Sequence, residues 1–144
     1  MKMVDVGQKE KTARVAIARG VVRMSAESSA RIREGRVEKG DVLAAARLAG
    51  IMGVKRTPDL IPLCHPIAIA GAEVELVLGE QTLQITATVK SVERTGVEME
   101  ALTAVCAAGL TVYDMLKSAD RGMQLSEVRL VHKSGGKSGT FTQD

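Results

Sequence analysis

Between Thr12 and Met24 the chain reads TARVAIARGVVRM, a stretch rich in β-branched residues with an alternating pattern. That period of two predicts a strand over 12–24. The next stretch, SAESSARIREG (25–35), turns helical, with Ser25 as N-cap and Gly35 as the stop. A second helix is predicted over 40–55, GDVLAAARLAGIMGVK, with Asp41 near its start, where the helix dipole favours an acid. RTPDLIPLCHP (56–66) holds all three prolines and reads as a stiff connector rather than a helix or a central strand.

The clearest hairpin lies at 72–92. Val74, Leu76 and Leu78 share one face of its first strand, and Leu83, Ile85, Ala87 and Val89 share one face of the return. Gly79, Glu80 and Gln81 form the turn. The other face is largely polar, as in an antiparallel sheet covered on one side. A long helix is predicted over 95–120. Ala101, Ala104, Val105, Ala108, Val112 and Met115 make one apolar face, and Leu102, Cys106, Leu110 and Tyr113 a second. From Ala101 to Tyr113 only Thr103 and Thr111 are polar, a run far short of the ~20 residues that cross a bilayer. Such a helix calls for two covers, its own sheet and another subunit. SEVRLVHK (126–133) closes the pattern as a short strand.

The order β-α-α-β-β-α-β predicts an α+β, ferredoxin-like fold, an antiparallel four-stranded sheet with helices packed on one face. It reads as a single domain over 1–144, with an N-terminal arm at 1–11 and a glycine-rich C-terminal loop and tail at 134–144.

Composition narrows the function. One Tyr, one Phe and no Trp leave the predicted strands without an aromatic residue, against a base-stacking RNA module. A formal net charge of +3 favours anionic partners. Cys64 and Cys106 lack metal-ligand spacing and read as reduced thiols of a cytoplasmic protein. The N-terminal residues contain no apolar signal core, so neither export nor a lipid anchor is expected.

Four features carry candidate chemistry, each beside a plainer explanation. KSGGKSG (133–139) is not a Walker A loop, because Val131 stands where the first glycine would be and no helix follows. Its glycines can aim backbone N–H groups at an anion, with Lys133 and Lys137 adding charge; a polar tail is the alternative. His65, held before Pro66, can hydrogen-bond a substrate or carry a proton, or can be structural. Glu98 and Glu100 fit a helix start on dipole grounds alone. Asp114 and Lys117, at i and i+3, are a surface ion pair or an acid–base pair. Glu100 and Asp114 are about 21 Å apart along one helix, so a site using both is elongated or shared between subunits.

Together MVDVGQKEKTARVAIARG, KGDVLAAARLAGIMGVKRTPDLIPLCHP, TGVEMEALTAVCAAGLTVYDMLK and KSGGKSG resemble the MoaC family of molybdenum cofactor biosynthesis, from Met3 to about Gly139. The resemblance implies conversion of 3′,8-cyclo-7,8-dihydroguanosine 5′-triphosphate to cyclic pyranopterin monophosphate, with release of pyrophosphate. It implies a homohexamer, a trimer of dimers, with active sites between subunits. By motif, Asp114, Lys117, Lys39 and Lys133 match the family's catalytic residues; Leu63, Cys64, His65, Met99 and Glu100 match substrate-contacting ones. Lys137 is assigned to substrate binding with the glycine-rich motif. On this reading Lys39 and Lys133 depress the pKa of Lys117, the principal acid/base, and Asp114 orients it. No tightly bound cofactor or metal is expected, although Mg²⁺ can accompany the triphosphate. The rival readings are a non-catalytic anion- or RNA-binding oligomeric module, a scaffold, and a metal protein using Cys64 and His65.

Overall fold

The structure is a computed structural model describing residues 1–144. Its elements are β1 (Thr12–Arg23), α1 (Ala26–Arg33), α2 (Val42–Leu60), β2 (Gly71–Leu78), β3 (Thr82–Glu93), α3 (Glu98–Leu116), β4 (Gln124–Ser134) and β5 (Phe141–Thr142). The four expected strands are joined by a fifth of two residues, in the antiparallel order β2-β3-β1-β4-β5.

The alternation read from the sequence sets the register. Val74 lies opposite Ala87, Leu76 opposite Ile85 and Leu78 opposite Leu83. Ala16, Ala18 and Val22 of β1 turn to the same side as Leu83, Ile85, Ala87 and Val89, and all seven are buried there. α3 covers this face through Ala101, Ala104, Val105, Ala108 and Val112, and Leu116, rather than Met115, closes the stripe. The apolarity of α3 would suit a membrane span, but its sheet-facing half is buried in this core, as in a core helix of a soluble fold.

With almost no aromatic residues, the core gains its density by bringing backbones close. A Cβ on Gly20 would sit 2.6 Å from Val105 Cγ1, and one on Gly53 would sit 2.9 Å from Ala107 Cβ. Glycine therefore lets α3 approach β1 on one side and α2 on the other. α2 and α3 run in opposite directions. The turn before α2 reaches the end of α3, and the segment after α2 reaches its start.

One expectation is corrected. The helix expected to end at residue 55 continues through Arg56, Thr57, Pro58 and Asp59 to Leu60, so the connector begins at Ile61. Pro58 falls in the last turn, where its missing N–H costs one hydrogen bond and its ring strains only the end of the helix. Thr57, buried beside it, donates its hydroxyl to the Gly53 carbonyl at 2.9 Å and anchors this turn. The glycine-rich tail is also more ordered than a polar terminus need be. It reverses at Gly136–Gly139 and pairs back on β4, Lys133 opposite Phe141.

Candidate active site

α3 carries candidate chemistry at both ends. At its C-terminal end, Asp114 stands between two ammonium groups. Its Oδ2 is 2.9 Å from Lys39 Nζ, and its Oδ1 is 2.9 Å from Lys117 Nζ. Lys39 also donates to the Asp114 carbonyl at 3.2 Å, where the negative end of the helix dipole favours a cation. Lys39 comes from a tight turn in which the Gly40 N–H bonds the Val37 carbonyl at 3.0 Å. Gly40 has φ +113°, and Asp41 then caps α2 by accepting from the Ala44 N–H at 3.0 Å.

Hydrogen bonds from Lys117 and then Lys39 pull the Asp114 carboxyl down to about 2. The same bond raises Lys117 above its ordinary value, which corrects the expectation of a depressed Lys117. Its nearest charge is the Asp114 carboxylate, and Lys133 lies at the far end of α3. The cluster keeps a net charge of +1 and about half of each side chain is exposed, so it is open to an anionic ligand. A cavity of about 480 Å³ adjoins it, lined in part by Arg31, Arg36, Lys39 and Ser118.

At the N-terminal end, Glu100 is only 2% exposed. Its Oε1 accepts from Cys64 Sγ at 3.7 Å, and its Oε2 has no partner. Burial pushes the Glu100 carboxyl up. Burial, then the neighbouring Glu100, pushes the Cys64 thiol up to about 11. A buried carboxyl with one unpartnered oxygen is a hydrogen-bonding group that a ligand can satisfy. Met99 precedes Glu100 and Leu63 precedes Cys64 in sequence, both exposed, and His65 is half-buried on the connector.

Beside this end, Lys133 is largely buried. It lies 3.6 Å from Glu98 Oε1 and donates to Ser138 Oγ at 2.5 Å. Gly136 and Lys137 form a pocket of about 440 Å³ with Gln8, Lys9, Glu10, Thr12 and Arg14.

Arg14 was missed from the sequence. It is 5% exposed and donates to the Glu93 carbonyl at 3.2 Å, and a Cβ on Gly136 would sit 2.1 Å from its Nη1. A signal existed, because Arg14 falls in the inward phase of β1 with Ala16 and Ala18, where a charge is costly unless it has a task. In register with it is Ser91, whose buried Oγ is unpartnered, as is the Oγ1 of Thr12. These groups form a polar, basic corner suited to phosphate oxygens.

The structure thus joins Lys39, Asp114 and Lys117 in one cluster, and Cys64 with Glu100 in another near Lys133. It does not join the two clusters. Glu98 and Asp114 are about 24 Å apart along α3. No three His, Cys, Asp or Glu side chains converge as metal ligands; Cys64 contacts Glu100 and the carbonyl of His65.

Comparison with known proteins matches the sequence that builds this site to a family. A cyclic pyranopterin monophosphate synthase of Dinoroseobacter shibae is 61% identical over 141 residues, 96% of this chain and 89% of that protein. One from a Roseiflexus species is 57% identical over 145 residues, 99% of this chain and 92% of that protein. A third, cyclic pyranopterin monophosphate synthase 2 of Mycobacterium tuberculosis, is 53% identical over 141 residues, 98% and 84% of the two chains. The model of the MoaC family matches residues 3–136, a span holding all four catalytic candidates and both ends of α3, and to that family this chain belongs.

Proposed function

We propose that this protein converts 3′,8-cyclo-7,8-dihydroguanosine 5′-triphosphate to cyclic pyranopterin monophosphate, releasing pyrophosphate, as an early step of molybdenum cofactor biosynthesis. The observation that carries this reading is the near-full-length identity to cyclic pyranopterin monophosphate synthases. The charge layout supports it. A substrate with three phosphates and a polar ring system needs cations for one part and hydrogen-bonding groups for the other. Lys39, Lys117, Lys133, Lys137 and Arg14 supply the first, and Glu100, Cys64 and His65 the second.

In this reading Lys117 acts as an acid. Asp114 keeps it an ammonium at neutral pH and aims it, so it delivers a proton where the ring reaction develops negative charge. Lys39 and Lys133 hold phosphate oxygens, and their charge stabilises the departing pyrophosphate. The protein needs no resident metal in this reading, and Mg²⁺ can accompany the triphosphate.

The working unit is a homo-oligomer, a hexamer built as a trimer of dimers, with each site shared between subunits. The outer faces of α2 and α3 leave Leu48, Met52 and Leu110 more than half exposed, an apolar surface a second copy would cover. The free thiols of Cys64 and Cys106 fit the reducing cytoplasm.

Phosphorus NMR on freshly made substrate tests the reaction. Wild type should give pyrophosphate and a cyclic phosphate, and Lys117→Ala neither. An oligomeric, folded wild type that produces neither would overturn the assignment.

A further inference from the structure

The Lys39–Asp114 contact raises a mechanical question. Both side chains are about half exposed, and an ammonium on a four-carbon stem does not hold one geometry in water unaided. Something else must fix the turn that carries Lys39 against the end of α3. The cluster's own residues do not, because Asp114 and Lys117 both belong to α3 or its C-cap.

Asp120 lies just past that end. Its N–H bonds the Leu116 carbonyl at 3.0 Å, which ties its position to α3. Its Oδ2 accepts two hydrogen bonds from the start of α1, from the Ser25 N–H at 2.8 Å and from Ser28 Oγ at 2.9 Å. Ser25 is the N-cap of α1, and its Oγ accepts from the Ser28 N–H at 3.0 Å. Ser28 and Ser29 are buried, and Ser29 donates to the Gly79 carbonyl in the β2–β3 turn, so the start of α1 is tied to the sheet as well as to the end of α3.

From there the backbone is bonded almost without a gap to Lys39. Glu34 N–H reaches the Ala30 carbonyl at 2.9 Å, Gly35 that of Ile32 at 3.2 Å, and Arg36 that of Arg31 at 2.8 Å. Gly40 and Val37 then close the turn that holds Lys39.

We infer that Asp120 is a positioning residue, which sets Lys39 against Asp114 by latching the start of α1 to the end of α3. This rests on the proposed reaction for its kinetic reading only; the placement of Lys39 can be measured without substrate.

Asp120→Ala removes both bonds, whereas Asp120→Asn keeps a side-chain oxygen that accepts them. Pyrophosphate release by Asp120→Ala should show kcat lowered at least about ten-fold, the scale of a small misplacement in a site, with KM within about two-fold. Asp120→Asn should stay near wild type. Acylation of Lys39 by a water-soluble N-hydroxysuccinimide acetate, scored by mass spectrometry against exposed Lys55, should be faster in Asp120→Ala. Wild-type kcat in folded Asp120→Ala, or an equal loss in Asp120→Asn, would overturn the latch. Should Asp120→Ala fail to fold, Ser28→Ala removes one of the two bonds to Asp120, together with the Ser25 Oγ–Ser28 Oγ contact; a lowered kcat supports the latch and full activity refutes it. If wild-type protein releases no pyrophosphate, the reaction assigned above fails. Lys39 acylation still decides the latch, supporting it if faster in the variant and refuting it if unchanged.

Discussion

Gly135→Ala and Gly139→Ala impose the same backbone demand in very different surroundings. The native φ values are +93° and +71°, so either alanine is strained, by about 1–2 kcal/mol. At Gly139 nothing lies within 4 Å of the added carbon, and the cost stops there. At Gly135 the new Cβ would lie 2.1 Å from the Ala13 carbonyl oxygen and 3.1 Å from its carbon. An ordinary C···O contact is about 3.3 Å, so the loop must retreat by roughly 1 Å. Ala13 cannot yield instead, because β1 is paired there with Val92 of β3. The retreating loop takes Gly136 off Arg14, and with it Lys137 and the Ser138 hydroxyl that holds Lys133. Since a terminal loop can detach without unfolding the domain, global stability should fall little more in Gly135→Ala than in Gly139→Ala. Activity should separate them. We expect kcat/KM for pyrophosphate release near wild type in Gly139→Ala and at least about ten-fold lower in Gly135→Ala. Equal kcat/KM values in the two variants would refute the claim that the loop must seat on β1 for the site to work.

Burial raises the Glu100 carboxyl above its ordinary 4.5, so the folded state holds that proton to higher pH than the unfolded chain does. The resulting loss of stability begins as pH rises past about 4.5 and is complete above the folded pKa. Glu100→Gln should abolish it, which urea unfolding at about pH 4 and pH 7 would reveal as a flatter dependence. Cys64, held up to about 11 by burial and Glu100, should alkylate slowly with iodoacetamide at pH 8, and faster in Glu100→Gln. Unchanged alkylation would mean that burial alone sets its reactivity. Gly53→Ala gains helix propensity of about 1 kcal/mol but overpacks against Ala107 Cβ, at 2.9 Å, and the Thr103 carbonyl oxygen, at 3.3 Å. We expect a net destabilisation of roughly 1–2 kcal/mol in denaturant unfolding, and a more stable variant would show that the α2–α3 contact has slack.

The strands were legible because a half-buried sheet alternates, and the face of β3 read from Leu83, Ile85, Ala87 and Val89 is the buried one. The reach of α2 was not, because three prolines in eleven residues carry the signature of a break; whether Pro58 ends a helix depends on its position in the last turn, which local sequence does not fix. In the site, Asp114 and Lys117 were readable because i and i+3 share a helix face. Lys39, 75 residues from Asp114, came through resemblance and not through pattern. The pKa of Lys117 went the opposite way from expectation for one reason. Counting cations in sequence cannot tell which lie within reach, and here the carboxylate is near while Lys133 is not.

That separation has a consequence for assembly. In one chain the two candidate clusters sit about 24 Å apart along a rigid helix, too far to close on the same reacting atoms. We propose that the dimer's two-fold axis crosses the exposed face of α3, which would set the Lys117 end of one copy beside the Arg14 end of the other, twice over. Each site then draws one end from each chain, and mixing tests it. Lys117→Ala and Arg14→Ala should each be inactive alone. Co-refolded in equal amounts they form mixed pairs half of the time, and in each mixed pair one of two sites has both ends intact. Activity should return to about a quarter of wild type. If each chain held a complete site, mixing would restore nothing, and the two ends of α3 would need separate explanations.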